Sequence, residues 1–161
     1  MSNEVKNITE RNRQVDEFEA LLLDNYEPAD APIRNFFTED LYVREMSIKA
    51  NHWITSKIHK TEFVFIVSKG KLLVSMDDGG EVEIQAPYTG ISKPYSRRVA
   101  FVVKDAIWTT IHRRLPNETE EEIEARIIEP HQNELITDEM KDRMSKVIKQ
   151  KETILLTQLT D

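Results

Sequence analysis

The chain has 161 residues, 39% of them hydrophobic and 32% charged, with a formal net charge of −7 and no cysteine. That length suffices for one domain with its own core plus helical additions. The composition excludes a disulfide framework and a thiolate metal site, and no apolar run approaches the roughly 18 residues of a membrane helix. The acidic balance also disfavours general nucleic-acid binding, which needs a basic face.

Residues 1–25 read as a helix. Asn7-x-x-Glu10 has capping-box spacing, and Val15, Phe18 and Leu22 recur at helical intervals between charges. Pro28 and Pro32 stop the helix, so residues up to 40 read as extended linker and 1–40 as an N-terminal helix and linker. From Leu41 to about His112 the pattern is β. Leu41–Ile48 alternates in part and is rich in strand formers. Glu62–Ser68 (E-F-V-F-I-V-S) and Lys71–Met76 read as two strands joined by a Lys69-Gly70 turn. Asp77-Asp78-Gly79-Gly80 is a hairpin signal, because glycine accepts the positive φ such turns need, and Glu81–Gln85 is the return strand. Ile91, Arg98–Val103 and Ala106–His112 complete the series, with Lys104-Asp105 as a tight turn. Short strands with no helix between them predict a barrel or sandwich over 41–115. Beyond Pro116 the chain turns helical, and 116–161 reads as a C-terminal helical extension. Asn117-x-x-Glu120 is a second capping-box spacing, and Ile123, Ile127 and Ile128 give one apolar side. Thr137 caps a last helix carrying a stripe of Met140, Met144, Val147, Ile148, Leu155 and Leu159.

The stretch I-T-S-K-I-H-K-T-E-F-V-F-I-V-S-K-G resembles the first motif of the cupins, small jelly-roll barrels of two facing sheets. K-P-Y-S-R-R, from Lys93, resembles the turn of the second motif. K-I-H-K-T-E, S-K-G, the D-G-G hairpin, S-K-P, R-V and D-x-x-W-T-T-I-H together resemble a group of small cupins encoded in bacteriophages and prophages, over about residues 40–128. Many of that group carry a histidine where this chain has Phe63, and Gly-Thr where it has Tyr95-Ser96. The resemblance implies a mainly β fold, a single cupin-like jelly-roll barrel with an N-terminal helix and C-terminal helices. It carries no defined activity.

Counted back from Gly70, the metal-ligand positions of the first motif fall on Lys57, His59 and Phe63; counted back from Lys104-Asp105, that of the second falls on Arg98. Three of the four are non-ligands, since lysine and arginine are cations that repel a metal ion. Residues on one strand alternate faces, so Lys57, His59, Thr61 and Phe63 share a side and Glu62 points away. Three readings are open. In the first, Lys57, His59 and Arg98 converge on an anion, with Tyr95 or Trp108 stacking on a ring. In the second, Arg98 pairs with Glu62 or another acid and the barrel is simply filled. In the third, a bulge turns Glu62 inward and His59, Glu62 and His112 hold a metal for an isomerase or dioxygenase.

The lead expectation is a metal-free, cofactor-free phage-related cupin without catalysis, a homo-oligomeric structural or accessory component of a virion. Subunits would meet through a sheet edge and the terminal helices, with other phage structural proteins as partners. The alternative is a soluble cupin with a small anionic ligand in the barrel. Neither involves a membrane or nucleic acid. The opening M-S-N-E-V-K-N shows no signal-peptide pattern, which points to host cytoplasm or virion.

Overall fold

The computed structural model describes residues 2–144, so Val147, Ile148, Leu155 and Leu159 of the predicted stripe lie outside the described residues. The elements run α1 (Asn3–Asn25), β1 (Ile33–Phe37), β2 (Leu41–Ile48), β3 (Trp53–Thr55), β4 (Phe63–Ser75), β5 (Glu81–Gln85), β6 (Tyr88–Ser92), β7 (Val99–Arg113) and α2 (Glu120–Ile127). The chain is helical again over 138–144. It is mainly β, a jelly-roll barrel with helices before and after it, as the resemblance implies.

Two long strands organise the seven-stranded antiparallel sheet. β4 and β7 have 13 and 15 residues and pair with each other over most of their length. Each passes through both halves of the barrel. The start of β4 pairs with β6, and its end with β5. The start of β7 pairs with β3 and its end with β2, which in turn pairs with β1. One half is therefore β1-β2-β7-β4-β6 and the other β3-β7-β4-β5. Alternation along each strand sends Ile48, Phe65, Val67, Ala106 from the first half and Leu72, Val74, Ile84, Val102 from the second into one shared core.

The bend between the halves sits where register slips, from Val67 to Leu72 in β4 and opposite it in β7. Gly70 has φ 89°. A Cβ there would lie 2.3 Å from the Asp105 carbonyl oxygen, so the close approach of the two strands requires glycine. This corrects the sequence reading. Lys69-Gly70 and Lys104-Asp105 are facing irregularities inside two continuous strands, not turns between four short ones. The Asp105 carboxylate accepts from the Ala50 amide at 2.9 Å and the Lys49 ammonium at 3.3 Å, which fixes the β7 side of the bend.

Other differences are local. Ile33–Phe37, predicted as linker, pairs with β2 as an edge strand. The cap of α2 is Thr119, not Asn117: its hydroxyl accepts from Glu122 N at 3.2 Å, and the Glu122 carboxylate accepts from Thr119 N at 2.8 Å. Asn117 sits in the preceding turn at φ 59°, a conformation asparagine tolerates. α1 begins at Asn3, which puts Asn7 inside the helix rather than at its cap. Thr137 does cap, its hydroxyl accepting from Met140 N at 3.3 Å.

The chain divides into two compact units. The first, 1–15 with 31–131, holds the barrel and α2. Within it Arg11 donates to the Arg97 carbonyl at 3.0 Å and to the Ser75 hydroxyl, tying the start of α1 to the barrel. In the second, 16–30 with 132–161, Asn133 donates to the Asp16 carbonyl and the Glu19 carboxylate, each at 3.0 Å, and Arg143 donates to the Leu23 carbonyl.

Candidate functional site

The inner face of the five-stranded half is a set of cross-strand rows. Met46 lies opposite Trp108, which lies opposite Val67. The next row along is Arg44, Thr110 and Phe65. In the row beyond, Tyr42 lies opposite His112, whose ring is 4.7 Å from that of Phe63. These rows, apart from Phe65 and Val67, line a cavity of about 230 Å³, bounded also by Ile54, Leu72, Val74 and Ala100 from the other half and by Glu124, Ile127 and Ile128 at α2.

Helix α2 is fastened across this end of the barrel. Lys60 N donates to the Ile127 carbonyl at 2.7 Å and Glu129 N to the Ile58 carbonyl at 2.8 Å, bracketing a His59–Ile128 bridge. Ile123 and Ile127 pack on Tyr42. Arg126 grips Glu118 through two bonds, at 2.7 and 2.8 Å, and holds the Glu118 carboxyl down to about 2.

Of the residues singled out in the sequence, Lys57, His59, Arg98 and Trp108 line this one cavity, and so does His112. Tyr95 does not. It has φ 61° in the turn before β7, its ring is exposed, and its amide donates to the His59 carbonyl at 2.7 Å. Glu62 does not either: it is exposed, directed away from the inward-facing Phe63 next to it. The pairing of Arg98 with Glu62 is therefore not formed.

Arg98 is aimed by its backbone. Its amide donates to the Ser56 hydroxyl at 2.8 Å, and Ser56 N returns a bond to the Arg98 carbonyl at 2.9 Å. Neighbouring Arg97 turns the other way, donating to the Asn12 carbonyl at 3.0 Å. The Arg98 guanidinium lies 5.8 Å from the centre of the Phe65 ring, and its Nε is buried without a hydrogen-bond partner. Arg44 was missed in the sequence, although a signal was there: it shares strand parity with Met46 and Ile48, so it had to face the core. Among the described residues neither Arg44 nor Arg98 has a carboxylate partner within ion-pair distance. Glu124, the acid that lines the cavity, sits 3.9 Å from Lys57 instead.

His59 and His112 stack face to face, centroids 5.4 Å apart and planes 7° from parallel. Burial pushes both down to about 4, with Arg44 adding to the effect on each. Both are neutral at neutral pH. His112 Nε2 is 3.0 Å from the Thr110 hydroxyl, while its Nδ1 is buried without a partner.

The donor set does not fit the metal centre that cupins commonly carry. Two imidazoles lie side by side, but the ring beside both is Phe63, at 4.5 Å from His59 and 4.7 Å from His112. Among the described residues no three His, Cys, Asp or Glu side chains cluster as ligands, so the set His59, Glu62 and His112 is not assembled. Among the described residues no helix is long and apolar enough to cross a membrane.

No protein-family model and no curated protein sequence matches the chain. Solved structures resemble its barrel. A Neisseria meningitidis protein is 11% identical over 60% of this chain and 95% of its own, with a TM-score of 0.45. A Klebsiella pneumoniae protein with a double-stranded β-helix domain is 18% identical over 59% and 88%, TM-score 0.46. A cupin-2 domain protein from Shewanella frigidimarina is 14% identical over 60% and 92%, TM-score 0.43. No activity follows from likenesses at this level.

Proposed function

We propose that this chain is a cupin-like barrel that binds a small organic anion in its interior and does not turn it over. The observation carrying this is a pair of arginines, Arg44 and Arg98, lining one cavity without a carboxylate partner among the described residues. A partly buried guanidinium lacking a counter-ion is unfavourable, and paired carboxylate or phosphate oxygens are the acceptors that best relieve it. Catalysis is disfavoured by what surrounds the hydroxyl–imidazole contact of the cavity, Thr110 with His112. No acid orients the imidazole, because Nδ1 has no partner.

Isothermal titration of the wild-type chain against a panel of small anions tests this, alongside Arg98→Met and Arg44→Met. Each charge-assisted bond lost should weaken binding at least about tenfold. Affinity unchanged in both variants would refute the reading.

A second reading is homo-oligomeric assembly in a phage particle, and the outside of the same sheet favours its self-association part. Phe36, Val43, Ile111, Val64 and Ile91 stand in register across five strands, and Phe36, Val64 and Ile91 are 46%, 37% and 60% exposed. Such a row suits a second copy of the chain. Light scattering of the purified protein and mass spectrometry of virions test the two parts of this reading; a monomer absent from particles would end it.

A further inference from the structure

We infer that the anion the barrel takes is a monocarboxylate with an apolar body, its head at Arg98 and Arg44 and its body lying inward against Met46, Leu72 and Trp108. This rests on the anion-binding reading above and names the class of ligand that reading left open.

Strand alternation stacks the cavity lining in levels, and the levels change character in sequence. Met46 opposite Trp108 forms the inner level, with the core pair Ile48 and Ala106 beyond it. The arginine level, Arg44 with Thr110, comes next, and the histidine level, Tyr42 with His112, lies nearest α2. The cations thus stand midway, with an apolar region on one side and neutral imidazoles on the other. Leu72, Val74, Ile54 and Ala100 face the inner region from the opposite half, so the aliphatic character continues round the wall. Trp108 is stacked on Phe65 at 4.5 Å and 7° on one face, and lines the cavity with the rest of the indole.

A ligand held at the arginine level must place its remainder somewhere. Hydroxyls or further charges directed inward would lose their hydration against Met46, Leu72 and Trp108 with little in return. An apolar body there gains from leaving water. Arg44 and Arg98 both line the cavity, and one flat, two-oxygen head can accept from both guanidinium groups at once. A cavity of about 230 Å³ is below the ~300 Å³ at which drug-sized sites begin, which limits the body to a single ring or a short chain.

The test is titration calorimetry on the full chain with benzoate, hexanoate, acetate, inorganic phosphate and citrate. Benzoate or hexanoate should bind at least tenfold more tightly than the other three, and Arg98→Met should remove most of that binding. Met46→Gln, a change at the inner wall, should weaken benzoate or hexanoate severalfold while leaving acetate unaltered. If phosphate or citrate binds best and that binding falls in Arg98→Met, the anion site stands and the apolar-body inference is overturned. If no anion binds, or if benzoate and hexanoate bind equally to wild type and Arg98→Met, the anion reading itself falls and this inference with it. Circular dichroism of both variants confirms that a loss is not unfolding.

Discussion

The stacked histidines make the barrel acid-labile in a narrow and calculable window. His59 and His112 are held to about 4 in the folded chain, against 6.5 for an unperturbed histidine. Between those values the unfolded chain binds protons that the folded chain refuses. Stability is therefore complete above pH 6.5 and is lost as pH falls towards 4. For one histidine with these two values the linkage relation gives a loss of about 2 kcal/mol at pH 5 relative to pH 8. His112, at 4% exposure, should contribute most of that figure, and the half-buried His59 less. The combined loss of about 3–4 kcal/mol is a large share of the roughly 5–15 kcal/mol that holds a domain folded. Glu118 adds little to the measurement, because its carboxyl is held down to about 2 in the folded chain and is mostly ionised at pH 5 in the unfolded chain as well. Urea denaturation followed by circular dichroism at pH 8, 6.5 and 5 reads the effect directly. His112→Phe keeps a ring among Tyr42, His59 and Phe63 and removes one titrating group, so its stability should fall by roughly half as much as that of wild type. A bound anion should oppose the loss, since it favours the protonated imidazoles. Equal stability of the wild type at pH 5 and 8, or an identical pH profile in His112→Phe, would show that the two rings are not held neutral by burial.

The bend, the histidine pair and the helix cap each yield a further test. Gly70→Ala should destabilise the barrel by more than about 3 kcal/mol, because it adds a Cβ 2.3 Å from the Asp105 carbonyl at φ 89°. A drop in the urea midpoint of less than a quarter would contradict that geometry. Phe63→His combined with Arg44→Met places a third imidazole within ring contact of His59 and His112, removes the nearby charge, and should confer stoichiometric Zn²⁺ or Ni²⁺ binding that wild type lacks; titration showing metal uptake by wild type, or none by the double variant, would refute the assignment of Phe63. Thr119→Ala removes the hydroxyl of the α2 capping box and should cost about 1 kcal/mol, seen as a lower thermal midpoint. If stability is unchanged, α2 is not held by its cap.

The strands were legible where local pattern and tertiary role agree. Leu41–Ile48 and Glu81–Gln85 occur with the limits read from alternation and turn chemistry. The two long strands were not legible as such. Gly70 and Lys104-Asp105 carry turn-forming residues, and a bulge uses the same positive φ as a turn; only the partner strand decides between them. β1 escaped because Ile33–Phe37 is exposed throughout and shows no buried face. Pro28 and Pro32 mark the end of α1, but a strand that owes its existence to pairing with β2 leaves little trace in its own composition.

The site was half legible for a related reason. Motif spacing from Gly70 located Lys57 and His59, and spacing from Lys104-Asp105 located Arg98, since both anchors are pinned where the two long strands cross. Arg44 belongs to no motif and needed the parity of its strand to be followed through: a guanidinium between Tyr42 and Met46, both inward, has nowhere else to go. Together these positions define the chemistry better than either alone. Phe63 beside two imidazoles removes the third metal ligand, and Arg44 near both makes a bound cation unfavourable. The same arginine, joined by Arg98, makes a bound anion favourable. Lys57, Arg44 and Arg98 outnumber Glu124 among the charged groups of the lining, and burial keeps the two histidines neutral; on the proposed reading that balance suits an organic anion at neutral pH.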